Sequence, residues 1–328
     1  RKQNMLNIGI VGLGHFGQRL VEAVNGHSHK VRFTMAVAPR HELVRDFAAA
    51  KHLVLTSDYA SVLANPTIAG IVSCGPAHLH AAHSLQALNA GKPVLGVKPM
   101  ALSGADAQAL KAAADQRKLV LALGYDRCFM PNVAMLRDEL KAGSLGELLH
   151  TEGDFCVHRY HRFKHGEWKG DPLSSPPGGL ADHMLYLTIE ALGAVSQVHA
   201  LSRFDVTDNG LADSTAVLMR MQNGASAFLS AIGTTAKYHR FQVFGTKGWA
   251  ELRGSNSFRL QTTDGRKIDE TLPEADPELL EVEAFADAIA GARPFPVAQD
   301  QAVHAVTVLE AIAQSANEKR VVDVASRQ

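Results

Sequence analysis

Leu6-Asn7-Ile8-Gly9-Ile10-Val11 runs straight into Gly12-Leu13-Gly14-His15-Phe16-Gly17 and then into Gln18-Arg19-Leu20-Val21-Glu22-Ala23-Val24. An apolar run, a glycine turn and an amphipathic stretch in that order predict a strand, a tight loop and a helix. Gly12 permits the turn, Gly14 lets backbone N–H groups approach a pyrophosphate, and Gly17 lets the helix pack closely on the strand. The phosphates of a dinucleotide then sit at the positive end of the helix dipole, cradled by Gly12, Gly14, His15, Phe16 and Gly17. Spaced glycines also punctuate ordinary loops. Their position between strand and helix makes dinucleotide binding the stronger reading.

Working outward, Val31 to Ala38 reads as the second strand, and the residues that end it bear on cofactor type. An Asp or Glu there accepts the ribose 2′-OH of NAD, whereas a nearby Arg accommodates the 2′-phosphate of NADP. The tip is Pro39-Arg40-His41, with no carboxylate at the strand end and Glu42 beyond it. Arg40 offers a planar, permanently charged fork for a phosphate, which favours NADP(H). The alternative is a solvated Arg40 and NAD(H).

Short apolar runs recur at 53–56, 68–73, 93–97 and 119–123, with alanine-rich helical patterns between them at 77–90 and 103–117. Continuous apolar strands alternating with helices are what a parallel sheet covered on both faces requires. Residues 1–125 are therefore expected to form a doubly wound Rossmann domain. The texture changes near Glu147: runs at 215–221, 225–230 and 240–244 are separated by Asn223-Gly224 and by Gly245-Thr246-Lys247-Gly248. Asn-Gly between two strand-like runs signals a hairpin. Residues 126–328 are expected to form a second domain around a largely antiparallel sheet. Helices are expected over 180–192, 277–290 and 300–316, the last ones packing back on the body.

With 33 Lys+Arg against 33 Asp+Glu, no global field recruits nucleic acid or an anionic membrane. At 46% hydrophobic residues, 328 residues can build two cores. Cys74, Cys128 and Cys156 show no paired spacing, so no disulfide framework or zinc site is expected. They suit a reducing compartment and small core positions. The first apolar run is too short, and interrupted too soon, for a signal peptide or membrane span; the expectation is a cytoplasmic protein.

Two further places carry chemistry. Gly96-Val97-Lys98-Pro99 ends a predicted sheet strand, the edge at which open α/β sheets bind ligands, and a lysine there can bond a substrate oxygen. In Gly178-Gly179-Leu180-Ala181-Asp182-His183-Met184-Leu185-Tyr186, helical spacing puts Asp182 and Tyr186 four apart and His183 and Tyr186 three apart, on one side. A carboxylate, an imidazole and a phenol so placed make an acid–base group. The bland alternative is an Asp favouring the helix dipole beside groove-lining His and Tyr. Ahead of it, His158-Arg159-Tyr160-His161-Arg162-Phe163-Lys164-His165 concentrates positive charge. The interleaved Arg and Lys oppose a metal site there. A solvated loop is one reading, and recognition of a polar or anionic substrate by Arg159, Arg162 or Lys164 is the other.

The ordered set of motifs resembles the glucose-fructose oxidoreductase / inositol dehydrogenase / MocA oxidoreductases. It includes the glycine turn, Pro76 with His80 after the fourth strand, and Ala90-Gly91-Lys92-Pro93-Val94-Leu95-Gly96-Val97-Lys98-Pro99. Gly143-Ser144-Leu145-Gly146-Glu147, Gly245-Thr246-Lys247-Gly248 and the stretch from Glu283-Ala284-Phe285 to Arg293-Pro294 complete it, over nearly the whole chain. The resemblance implies an N-terminal Rossmann domain and a C-terminal α/β domain whose open sheet serves a homodimer or homotetramer. It also implies NAD(P)-dependent oxidation or reduction of a polyhydroxylated or carbonyl compound, with a sugar or sugar derivative foremost. By position, Lys98 matches the catalytic lysine, Asp182 the helix aspartate, and Pro76 and His80 cofactor-side landmarks; His78 and His83 have no match and read as helix-surface residues. Val97 stands where an acidic residue usually precedes the lysine, and Tyr186 where a catalytic His usually falls. Two readings follow. In one, hydride passes between nicotinamide and a carbinol carbon, with Tyr186 or His183 exchanging the proton, Lys98 polarising the oxygen and Asp182 orienting the set. In the other, the missing landmarks report a non-catalytic NAD(P)-sensing protein.

Overall fold

The computed structural model describes residues 5–163 and 177–324. The chain forms two compact units: one runs to Phe129 and takes back Asp276–Gln299, and the other holds Met130–Ala275 and the segment from Asp300.

The first unit is built on six parallel strands: β1 (Leu6–Val11), β2 (Val31–Val37), β3 (Val54–Thr56), β4 (Gly70–Ser73), β5 (Val94–Val97) and β6 (Leu121–Gly124). They stand in the order β3-β2-β1-β4-β5-β6, so β1 pairs with both β2 and β4 and the order reverses beside it. That reversal opens a crevice at the strand C-termini, the ligand position of doubly wound sheets. Helices α1 (His15–Val24), α2 (Arg45–Ala50), α3 (Tyr59–Ala64), α4 (Ala77–Asn89) and α5 (Gly104–Arg117) alternate with the strands. Every residue of β4, β5 and β6 is buried, which is why these strands read as unbroken apolar runs rather than alternating ones. On α1, Gly17, Leu20, Val21 and Val24 are buried, the spacing of one helical face.

The second unit starts with α6 (Pro131–Lys141) and β7 (Leu148–His158), followed by α7 (Asp182–Leu192). Next come β8 (Val195–Arg203), β9 (Ser214–Met221), β10 (Ser226–Ile232), β11 (Thr234–Gly245), β12 (Gly248–Arg253), β13 (Ser257–Thr262) and β14 (Lys267–Thr271). With the short β15 (Val322–Asp323) they make a nine-stranded sheet, ordered β14-β13-β12-β11-β7-β10-β9-β8-β15. Asn223-Gly224 does turn β9 into antiparallel β10, Gly224 taking φ +90° and the Asn223 side chain accepting the Ala225 N–H. All pairs are antiparallel except β7 with β10, which run parallel. Alternation divides the sheet. Val217, Met219, Ala227, Leu229, Thr151 and Phe241 are buried, and Met184 of α7 lies so close that a Cβ on Gly153 would stand 2.8 Å from its side chain. The opposite face leaves Leu201 and Leu218 more than half exposed.

Of the two closing helices, α8 (Pro277–Ile289) belongs to the first unit, where Val282, Phe285 and Ala286 join the core of Ile8, Ile10 and Leu20. The other, α9 (Gln299–Glu318), buries Ser315 against β8, its hydroxyl accepting the Ala200 N–H. No helix among the described residues is long and apolar enough to cross a membrane.

Candidate active site

The glycine turn has the shape its sequence predicts, for reasons specific to each glycine. Gly12 takes φ +97°, and a Cβ there would stand 2.6 Å from the Gly75 nitrogen, so the turn after β1 and the turn after β4 are in close contact. A Cβ on Gly17 would stand 2.2 Å from the Gly12 carbonyl oxygen, so only glycine lets α1 start this close to β1. Around Gly14 the reverse holds: a Cβ would have no neighbour within 4 Å. The Gln18 N–H closes the first helical turn on the Gly14 carbonyl at 2.9 Å. The N–H groups of His15, Phe16 and Gly17 ahead of it are those a helix start leaves without an intrahelical partner. No acidic side chain lies in that first turn. Open space over Gly14, a helix N-terminus and no competing carboxylate fit a pyrophosphate.

At the end of β2, Arg40 is exposed and precedes a short 3₁₀ turn, His41–Leu43, that contains Glu42. The strand tip therefore presents a guanidinium, with the next carboxylate along the chain, Glu42, already inside the turn.

After β4, Pro76 caps α4 and His80 stands on its first turns, only 2% exposed. Nδ1 lies 2.8 Å from the Pro99 carbonyl oxygen and Nε2 2.7 Å from that of Gly75. The ring expected at the cofactor is thus turned onto two backbone carbonyls. Burial first, then Lys98 and His78, hold its pKa below the ordinary histidine value, against the upward pull of the two carbonyls. His78 is exposed as expected, but His83 is half-buried behind the Gly75 turn, its Nδ1 3.7 Å from where a Cβ on Gly75 would lie. Lys98 is half-buried at the end of β5, and its peptide bond to Pro99 is cis.

Beneath these turns lies a group sequence reasoning passed over. Glu281 of α8 is wholly buried, neither carboxyl oxygen has a hydrogen-bond partner among the described residues, and Oε1 is 3.5 Å from where a Cβ on Gly124 would stand. Burial, then Asp126 and Glu278, push its pKa well above the usual carboxylate range. Burial beside Glu281 also pushes the Cys74 thiol up to about 12, so Cys74 stays a thiol at neutral pH, consistent with a core role.

In the second unit the backbone over Pro177–Ala181 is wound as a π turn, and the α-helix begins at Asp182 rather than at Leu180. Asp182 is fully buried. His183 stacks on Phe155 of β7, ring centroids 5.2 Å apart and planes 15° apart, and Phe155 meets His239 of β11 at 4.1 Å. Tyr186 is wholly buried, and its hydroxyl donates to Gln301 Oε1 at 3.3 Å. His183 meets β7 through Phe155 and Tyr186 meets α9 through Gln301, and of the two only His183 keeps any exposure. Neither His239 nor Gln301 could be found from local pattern, because strand pairing and a distant helix bring them in. Arg159 and Arg162 are exposed around a short 3₁₀ turn, Tyr160–Arg162, whereas Lys164 falls outside the described residues. Among the described residues no three His, Cys, Asp or Glu side chains are grouped to hold a metal ion.

Comparison with known proteins gives this geometry a family. Residues 6–125 match the model of the oxidoreductase family's NAD-binding Rossmann fold, and residues 137–324 match the model of its C-terminal alpha/beta domain. The rhizopine catabolism protein MocA of Rhizobium meliloti is 26% identical over 324 residues, 93% of each chain. Inositol 2-dehydrogenase 1 of Saccharopolyspora erythraea is 32% identical over 166 residues, 49% of this chain and 48% of that protein. Among solved structures, a levoglucosan dehydrogenase in complex with NADH and L-sorbose superposes with a TM-score of 0.88 at 20% identity, over 99% of this chain and 100% of that one.

Proposed function

The chain belongs to this oxidoreductase family with an NAD-binding Rossmann fold, and from that premise we propose that it moves hydride between NADP(H) and a carbon bearing a hydroxyl or carbonyl on a sugar or sugar derivative. The observation that carries the reading is the glycine cradle, with open space at Gly14 and contact-enforced glycines at Gly12 and Gly17. Arg40 at the β2 tip supports NADP(H) over NAD(H). A sugar-type substrate is supported by relatives named for inositol and levoglucosan.

The bound nicotinamide supplies or accepts the hydride. The chain's own residues handle the oxygen. In the oxidative direction the C–H bond breaks with its electron pair leaving as hydride, the O–H bond gives up its proton, and a carbonyl forms. We assign polarisation of that oxygen to the Lys98 ammonium and receipt of the proton to His183, histidine being the side chain most often used for general acid–base transfer. Asp182 orients the set. Tyr186, buried with its hydroxyl given to Gln301, is assigned to support of the helix.

The test is K98A against wild type with NADPH or NADP and a panel of sugars, polyols and hydroxy acids. Turnover should fall by roughly 10²-fold or more, the usual weight of a positioned acid–base group, with dinucleotide affinity within a few-fold. Unchanged turnover contradicts the role of Lys98. Absence of any nicotinamide absorbance change across the panel would point to a dinucleotide-sensing protein.

For assembly, the solvent face of β8–β10 supports a homodimer or homotetramer. Leu218 stands opposite Phe228 there, with Leu201 on the same face, in a patch a second copy could cover.

A further inference from the structure

His80 faces a requirement that a neutral imidazole cannot meet. Its two ring nitrogens each stand at hydrogen-bond distance from a carbonyl oxygen, Nδ1 to Pro99 and Nε2 to Gly75. A carbonyl can only accept, and a neutral imidazole carries one N–H. The imidazolium satisfies both carbonyls; the neutral ring satisfies one and sets a lone pair against the other. The two carbonyls belong to the turns that matter most to the proposed chemistry. Gly75 is the residue against which Gly12 packs, and Pro99 follows Lys98.

The surroundings oppose the proton while the crevice holds no anion. Lys98 at the end of β5 and His78 on α4 both disfavour a positive charge on the ring, and burial disfavours it further. His83 on α4 is also held below its ordinary pKa, by burial and by the neighbouring imidazoles. The Cys74 thiol after β4 carries no charge at neutral pH. On α5, which packs against α4, Asp106 accepts from the Ser103 hydroxyl and Lys111 pairs with Asp115. His15 lies exposed at the start of α1. None of these supplies the ring with a counter-charge. A pyrophosphate on the glycine cradle would, since it would bring two negative charges to the turn whose Gly12 packs against Gly75.

We propose that His80 is the group that takes up a proton when the dinucleotide binds, and that its imidazolium then ties the Gly75 turn to the Lys98–Pro99 turn. This rests on the reading that the dinucleotide occupies the glycine cradle. His80 is a positioning residue in this account, since its ring meets backbone and not ligand. Cofactor arrival and the placement of Lys98 become one event, linked through a proton.

The measurement is calorimetric titration of the whole protein with NADPH, in two buffers of different ionisation enthalpy, at a pH above the ordinary histidine range. The observed enthalpy should change with the buffer in the sense of proton uptake, approaching about one proton per nucleotide bound. Affinity should weaken as pH rises, by up to about tenfold per pH unit. In H80Q the uptake and the pH dependence should disappear and the affinity should fall roughly tenfold, whereas H78Q keeps the uptake. Binding of NADPH to the wild type with no proton exchange overturns the inference and leaves the dinucleotide reading standing. So does uptake that survives in H80Q or vanishes in H78Q. No saturable NADPH binding at all defeats the dinucleotide reading, and the inference falls with it. Ring ¹⁵N spectra of the wild type decide the matter without a variant: one buried histidine should pass from one protonated ring nitrogen to two on saturation, and the absence of any such histidine overturns the proposal.

Discussion

At Gly14 a methyl group would enter open space, and at Gly17 it would strike the Gly12 carbonyl oxygen at 2.2 Å, so one substitution has two opposite consequences. G14A should fold and melt like the wild type yet bind NADPH at least about tenfold more weakly, because the added methyl occupies the pyrophosphate's approach. G17A should lose about 1–3 kcal/mol of stability through forced separation of α1 from β1, read as a lowered denaturation midpoint. Glu281 makes a separate prediction. Its folded pKa is raised, so the native state holds a proton that the unfolded chain releases above the ordinary carboxylate value. Stability should therefore fall as pH climbs from about 4.3 through the folded pKa, by about 1.4 kcal/mol for each pH unit between the two. E281Q needs no proton, so its melting temperature should exceed the wild type's at about pH 8 and approach it near pH 4. Equal midpoints at both pH values would contradict a neutral Glu281. Gly12, Gly14 and Gly17 were legible in the sequence because the passage from β1 through a turn into α1 is a strong local pattern, and Lys98 was legible as the residue that follows β5. Glu281 was not, since a carboxyl in an amphipathic helix reads as a solvated charge until packing buries it. The orientation of His80 was equally hidden, because both its partners are backbone atoms.

The strands and helices divide by how far their making depends on distant chain. β4, β5, β6, α4 and α5 were legible almost to the residue, since burial on both faces and alanine-rich helical patterns are local signals. β7 was not: Gly153, Asp154 and His150 interrupt its apolar pattern, and its pairing with β11 on one side and parallel β10 on the other holds it as a strand. The helix expected from Leu180 starts two residues later, after the π turn over Pro177–Ala181. The segment between β8 and β9 also gains meaning only in the fold. The Asp213 carboxylate accepts from the Val206 and Thr207 N–H groups and the Thr207 hydroxyl, and Asn209 donates to the Tyr160 carbonyl at 2.7 Å. The Tyr160 ring in turn fills the space a Cβ on Gly233 would need. This segment thereby buttresses the turn that carries Arg159 and Arg162. D213A should cost about 1–3 kcal/mol by leaving the part-buried Val206 and Thr207 donors unpaired, and should raise proteolytic cutting within 204–213. If Arg159 or Arg162 holds the substrate, KM should rise more than kcat falls.

For the whole molecule, the exact balance of 33 basic and 33 acidic residues leaves recognition to local groups rather than to a global field. Leu201, Leu218 and Phe228 form an exposed apolar patch on the solvent face of β8–β10, and L218E should shift light-scattering mass toward the monomer while leaving dinucleotide binding intact. An unchanged mass would remove that face as the assembly surface. Membership in the oxidoreductase family, the Rossmann sheet and the glycine cradle converge on one claim: a nicotinamide dinucleotide binds at the crevice beside β1. The direct test is side-by-side titration of the wild type with NADPH and NADH by nicotinamide fluorescence. The account predicts saturable binding with NADPH the tighter ligand, through Arg40. A tighter NADH would contradict the part assigned to Arg40, and no saturable binding of either nucleotide would contradict the central claim.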